Sequence, residues 1–293
     1  MQIAGNLGRP VAAPAGCCRG LLLLACFLLV SAFHPFAGLA ADRELSFERL
    51  YAHDKTSAMR VDHRHWESFL LNYLRPDQDG VNRVAYGKVK IRDRRKLNRY
   101  IEKMGEIDVT AYRRSEQLAY WINLYNALTV RLALDHYPFA SIKNIKDFDD
   151  EGTVDAWDRK LIVIDGIALS LRNIEENILD PIWSDSRISY AITCPAVGCP
   201  NLQPIPFSGQ QLEQQLNEAA MAFVNDPRRI TIQDGRLYVS SVYRWRMEAF
   251  GSTERGIISH LMAYADPELA MALQKFDRVH GEIFDWRLND SAE

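Results

Sequence analysis

Apolar positions recur every three to four residues in several stretches of this chain and every two in a few shorter ones, which predicts helices interleaved with short hairpins. Between residues 62 and 75, Trp66, Phe69, Leu70, Tyr73 and Leu74 line one face behind Asp62, an N-cap residue. Residues 76–85 read as a loop punctuated by Asp79-Gly80. A basic helix is expected from Arg92 to Met104. The longest stripe lies between Ser115 and Tyr137, where Leu118, Trp121, Ile122, Tyr125, Leu128, Thr129 and Leu132 share a face. Ala127, Val130 and Leu134 are apolar on the opposite side, so this helix is expected to be wrapped by protein. Asn123 and Asn126 stand one turn apart on that apolar cylinder. A buried carboxamide without partners costs about 1–3 kcal/mol, so each asparagine must either tie the helix to neighbouring backbone or orient a catalytic group or ligand. His136 closes the helix before Pro138, where a cation suits the C-terminal dipole.

Beyond residue 158 the period changes. Arg159–Ile164 and Ile167–Leu169 flank Asp165-Gly166, a hairpin signal, and Ser170 caps a helix expected to reach Trp183 with Glu175 and Glu176 on its flank. Arg187–Thr193 reads as a strand leading into a loop that holds Cys194 and Cys199. An amphipathic helix over Gly209–Asn225 and a second hairpin around Asp234-Gly235 come next. Gly251 ends a short helix from Trp245, further helical segments occupy Thr253–Phe276, and Glu282–Trp286 reads as a last strand. The pattern predicts an α+β fold: a helix-rich single domain with a small antiparallel sheet built from two hairpins and the strand before Cys194.

Composition refines this without adding chemistry. The 293 residues are 47% hydrophobic and 25% charged, an ordinary globular balance that excludes a disordered or collagenous chain. A net charge of −3 offers no general attraction to nucleic acid, and the basic run Arg92–Lys96 has no interleaved aromatics, so it reads as a solvated helix face. No nucleic-acid partner is expected.

The first forty residues read as an address. Arg9 and Arg19 form a basic region without an acid, Gly20–Phe33 is a 14-residue apolar run, and Gly38-Leu39-Ala40 offers small residues for cleavage. A bilayer span needs about 20 residues, so a signal peptide over 1–40 is expected, with residues 41–293 the exported product in the periplasm or outside the cell. An uncleaved anchor, the sole expected membrane contact, and a lipoprotein signal at Leu23-Leu24-Ala25-Cys26 are the other readings. Cleavage also removes Cys17, Cys18 and Cys26. Cys194 and Cys199 then remain alone in an oxidising compartment, on a Pro/Gly-containing segment that can turn tightly enough for a disulfide.

The blocks EQLAYWINLYNALTV, YPFASIKNI, LSLRNIEENIL, DSRISYAITCPAVGCPNL, LEQQLNEAAMAFVND, VSSVYRW and FDWRLND, in this order, resemble the domain of unknown function 547 family across about residues 60–288. The resemblance implies a fold neighbourhood and commonly exported bacterial relatives; plant members carry the domain beside a coiled coil, and no reaction follows. Many members have histidine where this chain has Glu176, histidine and asparagine where Ser189 and Thr193 stand, and a small residue in place of Pro195. A Cys-His site, if that is the family's, would lack its usual base here.

Two function classes remain. A non-catalytic binding or interaction module for a protein, peptide or glycan, with Cys194 and Cys199 as a structural pair, is the leading expectation; Tyr238, Tyr243, Trp245, Phe250, Phe284 and Trp286 supply aromatics for a groove or simply for the core. The alternative is a cysteine-dependent hydrolase or acyltransferase-like enzyme using Cys194, with Glu175, Glu176, His136 and Asn123 as candidate partners by residue type. No cofactor or metal is expected: the chain has no Gly-rich phosphate loop, no Gly-x-Ser-x-Gly elbow, and no Cys/His ligands at finger-like spacing near Cys194 and Cys199.

Overall fold

A helix that is apolar on all sides must sit inside the protein, and Arg114–His136 does: residues 116–130 are buried without a break. This computed structural model describes residues 47–145, 147–149 and 152–291, so the expected signal segment lies outside the described residues. Helix Ile91–Gly105 packs beside the central helix and Arg64–Tyr73 packs against Ile91–Gly105, with Trp66 stacked on Phe69 and Tyr100 at ring distances of 5.7 and 6.5 Å. Burying side chains of this size contributes about 1.5–3 kcal/mol each. A smaller core under the C-terminal part joins Leu212–Val224, Glu254–Tyr264 and Pro267–Leu273 around Phe223, Tyr243 and Leu261.

The polar residues of the central helix act as fasteners. Glu116 accepts the backbone N–H groups of Val61 (2.8 Å) and Gly209 (3.1 Å), and Gln117 donates to the carbonyls of Ala52 and Val109. Asn123 donates to the Phe207 carbonyl (2.7 Å) and accepts from the Phe207 N–H (3.0 Å). Asn126 donates to the Ala191 carbonyl and accepts from the Thr193 N–H, both at 2.9 Å. Each carboxamide closes a two-bond clamp on one segment of distant chain, which satisfies its buried groups and fixes that segment's register.

The helix-rich α+β class is observed, while four details depart from the pattern-based expectation. Residues 76–85 are not merely a loop: Leu74–Pro76 and Asn82–Val84 pair antiparallel across the turn. The helix capped by Ser170 is not uniform. Ser170 and Asn173 form a capping box, Leu171–Ile174 is α-helical, Glu175–Leu179 widens to a π-helix, and Asp180–Trp183 returns to α. Pro181 has no N–H to give the carbonyl of Asn177 four residues earlier, and the Tyr51 hydroxyl donates to that carbonyl instead (2.8 Å).

The strand expected over Arg187–Thr193 is a short helix, Ile188–Ala191, followed by extended chain. Asp185 accepts the Arg187 N–H and holds its guanidinium, which starts the turn, and the Asn126 clamp takes the two backbone groups that a sheet neighbour would have used. The sheet is consequently different too. Hairpin Ile162–Ile164/Ile167–Leu169 stands by itself, while Ile230–Gln233/Arg236–Ser240 gains Gly281–Ile283 as a parallel third strand. Beyond that strand the chain threads back through the fold. Val197 and Gly198 donate to the carbonyls of Arg287 and Asp285, and Leu288 donates to that of Ala140.

Candidate functional site

The segments just described converge on a cavity of about 720 Å³. The central helix contributes Tyr125 to it, the π-helical turn Glu175 and Glu176, the clamped segment Ser189, Thr193 and Cys194, and the C-terminal return Trp286. Trp157, Trp245, Ile142, Ile145 and Ile192 make its apolar wall. That is the composition of a ligand site: mostly apolar and aromatic, with a few convergent polar groups.

Arg246 organises the polar side. Its guanidinium donates to the Ser189 hydroxyl (2.7 Å), pairs with Glu175, and reaches Asp180 at 2.5 Å. Burial pulls Arg246 below the ordinary arginine range. Two carboxylates and a hydroxyl compensate a cation that would otherwise be costly to bury. Tyr125 donates to Glu175 (3.3 Å) and accepts from the Trp157 indole N–H (3.2 Å); burial pushes its phenol up to about 12, so it stays protonated at neutral pH. A second set lies toward the rim, where Arg172 contacts Asp158 (2.6 Å), Glu176 (3.4 Å) and Asp155 (3.8 Å). Lys143 lies 4.2 Å from the centre of the Trp286 ring, a cation–π contact.

Cys194 and Cys199 stand at disulfide distance, their Cα atoms 5.5 Å apart. Both line the cavity, Cys194 half-buried and Cys199 buried. The loop is also held by non-covalent bonds: Thr193 Oγ1 donates to the Pro200 carbonyl (2.7 Å) and Arg229 to that of Cys199 (2.8 Å).

Of the residues singled out by type, Glu175, Glu176 and Cys194 meet at the cavity. Asn123 does not line it, since its amide is spent on Phe207 in the core. His136 is also elsewhere, bonded through Nδ1 to the Leu132 carbonyl, and no histidine is among the described residues lining the cavity. Ser189 and Thr193 have structural partners, Arg246 and Pro200. Sequence reasoning missed Arg246, Trp157 and Lys143. The signal for Arg246 was weak: two arginines interleaved with aromatics in Tyr243-Arg244-Trp245-Arg246, a pattern that does not reveal which one turns inward. Among the described residues no group of three His, Cys, Asp or Glu side chains is arranged to hold a metal ion, and no helix is long and apolar enough to cross a membrane.

No curated protein and no solved structure matches this chain. The match that exists is to a family model described as "Protein of unknown function, DUF547", over residues 109–224. That segment spans the central helix, the π-helical turn and the Cys194/Cys199 loop, and the match over it supports the DUF547 family for this part of the chain.

Proposed function

We propose that the protein is an exported, non-catalytic binding module whose ligand seats in the cavity between Tyr125, Glu175, Trp245 and Trp286. The observation that carries this reading is the state of the groups a cysteine enzyme would need. The Cys194 sulfur is committed to Cys199, no imidazole lines the cavity among the described residues, and Glu175 is committed to Arg246. A thiolate nucleophile requires a free sulfur and a base within hydrogen-bond reach. What remains is a roomy, aromatic-walled recess with its polar groups already positioned, which favours binding over bond-making. Export is supported by the basic, apolar and small-residue order of residues 1–40, and by a cysteine pair suited to an oxidising compartment.

The test is titration of the native protein with peptide and glycan panels, read by tryptophan fluorescence, followed by mass analysis of the recovered ligand. The expected result is saturable binding with the ligand returned unchanged. Turnover that disappears in Cys194→Ser would overturn the reading in favour of the hydrolase or acyltransferase alternative.

A further inference from the structure

We propose that the ligand is an uncharged oligosaccharide, lying from the main cavity across Trp245 into the hollow beside it; this rests on the binding-module reading. The first observation is continuity. A second hollow of about 580 Å³ adjoins the first and shares Glu175, Glu176, Trp245 and Arg246 with it. Together the two offer a path longer than one sugar ring needs, with Trp245 at the junction.

The second observation is the exposed indole. Trp245 is 52% exposed although it sits at the mouth of a recess. Phe284 and Trp286 hold it at ring distances of 4.8 and 5.4 Å, with tilted or edge-on geometry, so the ring is braced rather than loose. A braced indole presents a negative face, and the axial C–H groups of a pyranose are its natural complement.

The third observation selects against charge. Arg246 is spent on Glu175 and Asp180, and Arg172 on Asp158 and Glu176. Lys143 lies against Trp286. A charged group set against Arg246 or Arg172 would have to pull one of these ion pairs apart, leaving a partly buried charge unpaired. Hydroxyl groups both donate and accept, so a sugar can bond the outer lone pairs and N–H groups of an existing ion pair without breaking it.

The experiment is isothermal titration of the native exported protein with neutral glucose and N-acetylglucosamine oligomers of increasing length. Affinity is expected to rise with length until both hollows are filled. Trp245→Ala should weaken the longer oligomers by about tenfold, with the fold retained by circular dichroism because half of the side chain is exposed. Binding of charged peptides in the same cavity with no neutral oligomer bound would overturn the sugar assignment while leaving the binding-module reading intact. Failure of every neutral oligomer likewise overturns it, and equal affinity in Trp245→Ala would overturn the placement across that ring.

Discussion

Replacing Asn126 by leucine keeps roughly the same volume and removes both arms of its clamp, leaving the Ala191 carbonyl and the Thr193 N–H without partners inside the protein. The expected cost is about 1–3 kcal/mol for each stranded group, at the upper end if water cannot reach them. Chemical denaturation measures it, and an unchanged midpoint would contradict the tie. The same substitution should also loosen the approach to Cys194, because Thr193 is the residue immediately before it. Asn123 and Asn126 were legible as buried and hydrogen-bonded because an amide on an all-apolar helix has no cheaper alternative. Their partners were not legible, since Phe207, Ala191 and Thr193 reach the helix only through tertiary folding.

Among the elements, the hairpins at Asp165-Gly166 and Asp234-Gly235 were readable because the turn is a local device: Asp165 and Asp234 take positive φ, as do the glycines after them, whereas at Asp79-Gly80, read as a loop, only the glycine does. The segment before Cys194 was misread as a strand because its Ile, Tyr and Thr favour strands, while the determinants of its turn and clamp come from Asp185 and from a helix more than sixty residues away. The π-helical turn was equally hidden, although Pro181 marks it once Tyr51 is seen to replace the missing donor. The Cys194/Cys199 bond closes a short loop that is already pinned at Pro200 and Cys199, so it constrains the unfolded chain modestly. The double variant Cys194→Ser, Cys199→Ser is therefore expected to lose only about 1–3 kcal/mol, near or below the usual disulfide range. Equilibrium unfolding of the oxidised protein and the double variant checks this, and a loss large enough to prevent folding would mean the loop depends on the bond far more than its other contacts suggest.

At the scale of the whole molecule, acid should weaken the fold through histidine. Burial lowers His63 to about 4, and its Nδ1 meets the Tyr100 hydroxyl at 2.7 Å while its Nε2 is buried without a partner. The unfolded chain, with histidine near 6.5, binds more protons between these values. The stability due to the neutral ring is thus full above about pH 6.5 and falls as the pH drops toward 4, by up to about 3 kcal/mol. His260 is lowered to about 4 by the same cause and adds to the slope. Urea midpoints at neutral and mildly acidic pH, compared with His63→Gln, should show a shallower dependence in the variant, and an identical slope would contradict the assignment. Export has its own check: mass spectrometry of the mature product is expected to find it beginning at Ala41 or Asp42, against a full-length, membrane-retained chain. The claim that the cavity binds rather than reacts rests above all on the state of the Cys194 sulfur, and titration of free thiols in the native exported protein tests it most directly. The account predicts no free thiol until a reductant is added; two free thiols, with Cys194 the faster to alkylate near neutral pH, would contradict it and make the nucleophile reading the better one.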